Sequence, residues 1–314
     1  MQEKNNMTSS KDKEKEIYIM ENYWTLKEQL PNKETQKVVN DFLMNLKLAN
    51  RSKKTIISYR RFLQRFFMDQ EEIFSSLSSE SILKWYQQHF GKVHVKTYKH
   101  RLSILSSFYT FCVEEGYLDR SPIKRRWFPR LPKSLPKYLE KEEVAKIRQQ
   151  IEGSPLRNQA LVEFMLATGC RVDEIHRLTR QDVDLENRTA KVLGKGKKIR
   201  QVYFTDKCAL LLERYFATTK DDNSTPAFVS FKSGKSLSTR RIHDIVQEIG
   251  IQAGVDKLHP HRFRHTFATT LLAKGAELSF ISEVLGHGDL RTTQIYAYLP
   301  KSEIIAQYRK FMGG

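Results

Sequence analysis

Residues 258–298, LHPHRFRHTFATTLLAKGAELSFISEVLGHGDLRTTQIYAY, decide how the rest of the chain is interpreted. The stretch brings His261 and Arg264 close together, then adds His287 and, nine residues later, Tyr296. Its spacing predicts one helix beginning near His261 and a short helix that carries Tyr296. Cationic donors, proton carriers and a nucleophile are what a reaction at a phosphodiester needs when no metal is used.

Two fragments upstream supply further cations. LATGCRVDEIHRL carries Arg171 at a helix start, and VLGKGKKIRQVYF carries Lys195 at the tip of a predicted β-hairpin. An arginine fork binds phosphate oxygens in bidentate fashion and keeps its proton, although a lone arginine at a helix start more often forms a salt bridge. A hairpin lysine desolvated against DNA suits the role of acid, but the neighbouring Lys197 and Lys198 leave that assignment open on chemistry alone.

Two other interpretations of these residues are weaker. His261 and His265 stand four apart, as in a zinc-binding helix, but Arg-Phe-Arg lies between them, so no glutamate base is available and two cations would repel a metal. Tyrosines on helices usually pack rather than react. Tyr298 projects from a different face than Tyr296, so one phenol is expected to pack and the other to be presented.

In this order and spacing, the fragments resemble the motifs of the tyrosine recombinases, the phage integrase family. TGCR with RVDE resembles the first arginine box, GKGKK the lysine hairpin, HPHRFRH the HxLRH box, and LGHGDLRTTQIY the LGHxxxxxTxxY box. Cys170 and Phe263 are minor departures. The resemblance covers most of the chain. It implies the catalytic residues Arg171, Lys195, His261, Arg264, His287 and the nucleophile Tyr296, with Glu174 and His265 in support.

The resemblance also implies an activity. Such an enzyme cuts and rejoins a double-stranded DNA site through a 3′-phosphotyrosyl intermediate and a Holliday junction, without metal, ATP or another cofactor. It implies a homotetramer on DNA, in which we expect the tail, residues 301–314, to dock on a neighbouring subunit, and an accessory or paralogous subunit is possible. The architecture is the two-domain, Xer-like form. Rival interpretations are a type IB topoisomerase or telomere resolvase, which share this chemistry, and a DNA-binding relative without activity.

Composition agrees with a nucleic-acid partner. The 314 residues contain 54 Lys and Arg against 36 Asp and Glu, a formal net charge of +18, and a polyanionic partner is the simplest explanation. Three widely spaced cysteines without a CxxC pair argue against a disulfide framework. No apolar run approaches 18 residues and no signal-peptide pattern is present, so we expect a cytoplasmic, nucleoid-associated protein without a membrane segment.

A chain of this length predicts two domains. We expect a polar lead, disordered over 1–16, with an N-terminal extension up to residue 33, a helical DNA-binding domain over 34–120, a proline-rich basic linker over 121–136 and a catalytic domain over 137–314. The first domain is expected to be a bundle of four amphipathic helices of the SAM-like kind, and the second a mixed α/β domain. The fold class is therefore mainly α with a small β-sheet.

Basic residues at the starts of helices predict phosphate contacts, because helix N-termini attract anions. Two clusters lie in the first domain and one in the second. The predicted DNA-binding residues are Lys53, Lys54, Thr55, Arg60, Lys96, Lys99, Arg101, Thr239, Arg240 and Arg241.

Overall fold

The structure, a computed structural model, describes residues 22–131, 137–194, 198–218 and 225–286, together with Thr293. The chain forms two compact units, Met1–Lys133 and Ser134–Gly314. Helices dominate both, and a small antiparallel sheet lies in the second. The predicted fold class is thereby confirmed.

The first unit contains the four predicted helices. They are α1 (Lys33–Leu48), α2 (Lys53–Met68), α3 (Ser79–Phe90) and α4 (Val95–Glu114). Their apolar faces meet in one aromatic-rich core, in which Phe42 and Phe67 both stand edge-on to the buried Phe108. Edge-to-face rings of this kind add to the burial of large apolar surfaces.

Local capping sets where these helices begin. The side chains of Asn32, Ser52 and Ser78 each accept a hydrogen bond from the backbone N–H three residues on. Each bond satisfies one of the amides that a helix start leaves without an intrahelical partner. Polar residues that look like loop composition thus fix the starts of α1, α2 and α3.

Part of the predicted N-terminal extension, residues 22–32, is ordered and packed. In residues 22–32 the amide of Leu26 donates to Asn40 Oδ1 at 2.8 Å, and that of Lys27 donates to Gln64 Oε1 at 3.1 Å. Tyr23 and Trp24 pack against the bundle core. This part of the predicted N-terminal extension is ordered because amide side chains of α1 and α2 take up its backbone donors. Residues 1–21 lie outside the described part.

The predicted linker, 121–136, begins as part of the first unit. Ser79 Oγ donates to the Pro122 carbonyl at 2.7 Å, and a short 3₁₀ turn covers Arg125–Trp127. Trp127 and Phe128 pack against the core of the bundle. Residues 121–131 therefore pack as part of the first unit and do not form an extended linker. Residues 132–136 lie outside the described part.

The second unit surrounds a separate apolar core. A three-stranded antiparallel sheet has the order β1-β2-β3, with Leu193 opposite Ile199 at the last pair of the predicted hairpin. The hairpin prediction is confirmed. The helices are α5 (Lys141–Glu152), α6 (Leu156–Thr168), α7 (Val172–Arg177), α8 (Asp206–Ala217), α9 (Thr239–Gln252), α10 (Pro260–Ala273) and α11 (Leu278–Leu285), and the strands are β1 (Val183–Asp184), β2 (Thr189–Leu193) and β3 (Ile199–Tyr203).

Helix α11 lies against α10. Ala268 on α10 forms a small buried cluster with Ile281 and Leu285 on α11. The helix then ends at Gly286, whose φ of 63° and ψ of 49° are left-handed, a conformation that favours glycine. This ending brings the last carbonyls of α11 next to Arg171 and Arg264, the two predicted catalytic arginines. None of the helices in the described residues is long and apolar enough to cross a membrane.

Candidate active site

Arg171 stands at the start of α7 and is held by the next turn of its own helix. Its backbone amide donates to Glu174 Oε2 at 2.7 Å, and its Nη1 donates to Oε1 of the same carboxylate at 2.9 Å. The arginine side chain is 29% exposed, whereas that of Glu174 is 2% exposed. The carboxylate therefore orients the guanidinium from inside the protein and leaves one side of it open to a ligand.

Arg264, on the buried side of α10, meets Arg171 at the end of α11. Arg264 Nη2 donates to the Leu285 carbonyl at 2.7 Å, and Arg171 Nη1 reaches the same oxygen at 3.3 Å. Arg171 Nη2 also donates to the Gly286 carbonyl at 3.4 Å. Two arginines far apart in sequence thus share one acceptor at a helix C-terminus, whose partial negative charge stabilises cations.

The turn before Arg171 is shaped around the same contact. Gly169 ends α6 with φ of 59°, and its carbonyl accepts from Arg264 Nη1 at 2.8 Å. A Cβ atom at this position would lie 2.7 Å from a ring carbon of Phe267. The TGCR segment therefore requires glycine here both for its backbone conformation and for the close packing of α10.

Both histidines of α10, His261 and His265, have lowered pKa values. His261 is exposed at the start of the helix, and desolvation on its inner side, followed by the charge of Arg264, lowers its pKa below the ordinary value. For His265, desolvation and then the neighbouring His261 lower the pKa to about 4. A neutral imidazole can accept a proton as well as donate one, so His261 is suited to proton exchange at this edge of the site.

A third arginine, Arg200, completes the cluster and was missed by the sequence analysis. From β3 its Nη1 and Nη2 donate to the two oxygens of Glu174 at 2.7 and 3.0 Å, and its Nε donates to the Val284 carbonyl at 2.9 Å. Burial alone would raise the pKa of the Glu174 carboxyl, but the bonds and charges of Arg200 and then Arg171 outweigh it and lower that pKa. Period-two alternation, which puts Arg200 on the face of buried Val202, was the available signal.

Three predicted catalytic residues lie outside the described part of the chain: Lys195, His287 and Tyr296. The described residues extend to the positions directly before Lys195 and His287. Gly194, before Lys195, donates its amide to the Lys198 carbonyl at 2.8 Å and closes the hairpin. Helix α11 ends at Gly286, directly before His287. Their positions in the site remain predictions.

The predicted DNA-binding residues of the first unit lie at two helix starts. Lys53 and Lys54 are exposed at the start of α2, and Lys96 is exposed at the start of α4. Thr55 is half-buried, and its hydroxyl lies 2.8 Å from that of Ser52. Lys99 and Arg101 are half-buried on α4, and the Arg101 guanidinium lies 5.5 Å from the centre of the Phe62 ring.

One of these residues is buried. Arg60 is 4% exposed, and its Nη1 donates to the Tyr23 carbonyl at 3.3 Å. The guanidinium ties the ordered segment 22–32 to α2 and is enclosed by it. Its spacing of four residues from Ile56 and three from Leu63 places Arg60 on the buried face of α2, so its contact with DNA stays a prediction without support from exposure.

The third basic cluster lies at the start of α9. Thr239 is half-buried, whereas Arg240 and Arg241 are exposed. Arg240 pairs with Asp244 at 3.1 Å, and Arg241 pairs with Glu248 at 2.8 Å. Exposed pairs of this kind contribute little to stability, so they do not prevent either arginine from turning to a phosphate.

Comparison with known proteins gives the class to which this fold and site belong. The model of the phage integrase family matches residues 137–303. Tyrosine recombinase XerC of Lactobacillus delbrueckii subsp. bulgaricus is 34% identical over 273 residues, covering 82% of this chain and 92% of the relative. The crystal structure of XerH recombinase bound to palindromic difH substrate has a TM-score of 0.68 at 21% identity, covering 92% and 90%. The Tn1549 transposon integrase with a circular-intermediate DNA reaches 0.71 at 16%, covering 87% and 99%.

The two solved structures show that the fold is shared. The family match and the 34% identity to XerC also show the family. The chain belongs to the phage integrase family. It is a tyrosine recombinase, an enzyme that breaks and rejoins DNA in site-specific recombination. The rival topoisomerase or telomere-resolvase interpretation is not favoured, because the relatives and structural neighbours are recombinases and integrases.

Proposed function

We propose that Arg171 and Arg264 bind the scissile phosphate of the recombination site. The observation that carries this is their convergence on the Leu285 carbonyl, at 3.3 and 2.7 Å, which holds two permanent cations side by side. Glu174 balances part of this charge from the buried side, and the exposed side of Arg171 can take a further anion. A transferring phosphoryl group gains negative charge as the attacking oxygen arrives, so the two cations stabilise it. Planar guanidinium groups match its oxygens with paired N–H donors.

Tyr296 is the proposed nucleophile. Its phenol oxygen forms the bond to phosphorus while the bond to the 5′ oxygen breaks, which leaves a 3′-phosphotyrosyl link and a free 5′-hydroxyl. The phenol proton passes to the histidine pair, His261 and His287, and Lys195 gives a proton to the leaving oxygen. Rejoining is the reverse reaction with a 5′-hydroxyl from the exchanged strand, so the bond energy is kept and neither ATP nor metal enters.

A covalent adduct tests the proposed nucleophile. The full chain is mixed with nicked suicide duplexes carrying candidate recombination sites, in EDTA, and a denaturant-resistant protein–DNA adduct is measured. We expect the adduct with the unchanged chain and with Tyr298→Phe, and its loss with Tyr296→Phe. An adduct that survives Tyr296→Phe and is lost with Tyr298→Phe would overturn the assignment.

We further propose that the two basic helix starts of the first unit contact the DNA backbone. The exposed Lys53, Lys54 and Lys96 support this, since phosphate contacts need cations that reach solvent. Replacing Lys54 and Lys96 by glutamine should weaken DNA binding and flatten its dependence on salt. An unchanged salt dependence would argue against these contacts.

The proposed assembly is a homotetramer on paired DNA sites, with a Holliday junction as the intermediate of strand exchange. The tail offers Ile304, Ile305, Tyr308 and Phe311 at helical spacing, which suits docking on a neighbouring subunit. An accessory or paralogous subunit is compatible with this assembly. The bacterial source of the XerC relative supports a cytoplasmic, nucleoid-associated enzyme.

Removal of residues 301–314 tests the docking. We expect the truncated chain to form the adduct at a single suicide site but to lose recombination and the paired-site complex in native gels. Gln307→Ala, a polar change within the same tail, is the control and should recombine normally. Normal recombination by the truncated chain would contradict the docking.

A further inference from the structure

Arg200 has no part in the proposed phosphoryl transfer, yet it is the most buried cation around Glu174. Its side chain is 12% exposed, compared with 29% for Arg171. It binds both oxygens of the buried carboxylate and the Val284 carbonyl. Burying a guanidinium is costly unless its donors are well paired. Arg200 is too buried to serve solubility, so its charge must have another role.

We propose that Arg200 is a positioning residue that couples the lysine-bearing hairpin to the Arg171–Glu174 pair and to the end of α11. The coupling rests on the proposed function, because it concerns where Lys195, Arg171 and Tyr296 stand relative to the phosphate. Arg200 itself does not touch the phosphate.

The hairpin side of the coupling is a short, stiff path. Arg200 pairs with Val192 across the two strands, and the loop beyond them is closed by the bond from the Gly194 amide to the Lys198 carbonyl. A Cβ atom at Gly194 would lie 3.5 Å from Glu174 Oε1 and 3.8 Å from Arg200 Nη1. The base of the hairpin therefore rests directly against the ion pair, and fixing Arg200 fixes the two strand ends, Leu193 and Ile199, that flank the segment containing Lys195.

The carboxylate side of the coupling concerns how Glu174 divides its two oxygens. Arg200 occupies both of them, which leaves Arg171 with a single side-chain contact to Oε1 at 2.9 Å. Without Arg200 the buried carboxylate would have Arg171 as its remaining guanidinium partner and would draw that side chain inward. Arg200 thus keeps Arg171 oriented by Glu174 without being captured by it.

The helix side of the coupling is a close contact at Gly286. A Cβ atom there would lie 2.8 Å from Arg200 Cδ and 3.2 Å from its Nε. Together with the bond to the Val284 carbonyl, this contact places Arg200 under the point where α11 ends and the segment with His287 begins. A shift of about 1 Å at such a point is enough to reduce a reaction 100-fold.

The chain contains a matched control for this argument. Arg148 binds the two oxygens of Glu163 at 2.8 and 3.0 Å, and Glu163 is also 2% exposed and contacted by a second cation, Lys207, at 3.1 Å. That group joins α5, α6 and α8 and, among the described residues, makes no hydrogen bond or ion pair with Arg171, His261 or Arg264. Its loss reports what breaking a buried arginine–carboxylate pair does to the fold alone.

The experiment compares Arg200→Met with Arg148→Met. Single-turnover adduct formation on a suicide duplex and the thermal midpoint are measured for both variants, at a temperature where each is folded. We expect a fall in the thermal midpoint for both variants, but a loss of adduct rate of about 10- to 100-fold for Arg200→Met alone. Equal adduct rates for the two variants would overturn the coupling.

A pH profile separates positioning from mere loss of stability. Glu174 faces Arg171, Arg200 and the buried thiol of Cys170. Without Arg200, burial raises its pKa, so the carboxylate that orients Arg171 is neutralised at a higher pH than in the unchanged chain. We expect the acid limb of the rate profile to move to higher pH in Arg200→Met, and to return in the double variant with Glu174→Gln. An acid limb that does not move contradicts the coupling.

Two further controls keep the test decisive. If Arg200→Met does not fold, Arg200→Lys retains the charge but cannot bind two carboxylate oxygens and a carbonyl at once, so it should recover the thermal midpoint more than the rate. Full recovery of both would reject the geometric role. The unchanged chain is run beside it: loss of its adduct with Tyr296→Phe shows that the proposed function holds, whatever the Arg200 variants do.

Discussion

Two buried carboxylates in the second unit look alike and serve different ends. Glu174 and Glu163 are each 2% exposed, and each receives a bidentate arginine and a second cation. The cations differ. Those of Glu163, on α5 and α8, are 43% and 57% exposed, whereas those of Glu174 are 12% and 29% exposed and also bind carbonyls at the end of α11.

The difference shows how charge is used in the two places. Around Glu163 the arginine and lysine keep most of their hydration, so the pair ties helices together at little cost. Around Glu174 the guanidinium groups are largely desolvated, and their positions are set by a carboxylate and by backbone carbonyls together. Desolvated and rigid cations are costly for stability, but they are what a developing phosphate charge requires.

The largest expected effect on cleavage comes from replacing Arg171, the second cation that binds Glu174. Arg171→Ala should lower the rate of adduct formation by about two to three orders of magnitude, because a donor to the phosphate and a partner of Glu174 are lost together. Lys207→Ala removes the corresponding cation of Glu163 and should change that rate by about twofold or less, since an exposed pair contributes little. Single-turnover cleavage of a suicide duplex measures both. A rate for Arg171→Ala near that of the unchanged chain would erase the distinction between the two carboxylates.

A smaller effect is expected from changing the glycine that ends α11, Gly286. Gly286→Ala places a methyl group 2.8 Å from Arg200 Cδ and forces alanine to a φ of 63°, so it should lower the free energy of unfolding by about 1–2 kcal/mol. We expect a fall in cleavage of about 10-fold from the displaced Arg200.

The matched change is Gly153→Ala, at the end of α5, the helix that carries Arg148. Gly153 has a φ of −84°, and an added Cβ meets nothing within 4 Å. Its free energy of unfolding should rise by about 0.4–1 kcal/mol with cleavage unchanged. Urea unfolding and adduct rates measure the two variants, and a loss in both of equal size would count against a special role for the end of α11.

The last expected effect concerns stability and not cleavage, and it is a pH dependence that belongs to the site. Desolvation, followed by the charge of His261, lowers the pKa of His265 from an ordinary 6.5 to about 4. Between these values the unfolded chain binds a proton that the folded chain does not, so stability falls as the pH decreases from 6.5 towards 4. His265→Gln should flatten the thermal midpoint over this range. An unchanged slope in that variant would show that other groups carry the acid sensitivity.

Much of the fold and of the site follows from local pattern. Apolar spacing and capping residues predict the four helices of the first unit, because an amphipathic face and a satisfied helix start are local properties. Strand character on both sides of GKGKK predicts the hairpin for the same reason. Arg171 and Arg264 were identified from their motifs, and the structure brings both to the Leu285 carbonyl.

Local sequence pattern could not predict the partners of charged side chains. Arg60 was predicted to contact DNA but is covered by the segment 22–32, which lies before the first predicted helix. Arg200 was read as an ordinary strand residue but binds Glu174, 26 positions earlier, and Val284, 84 positions later.

By itself the sequence determined the family, the helices and hairpin, and the identity of the proposed catalytic residues, since each depends on residues near one another in the chain. The tertiary structure alone decided which cations are desolvated and what they hold. The physical reason is that the energy of a charge depends on burial and on partners that folding brings together, and a charged side chain looks the same in sequence whether it faces water or a buried carboxylate.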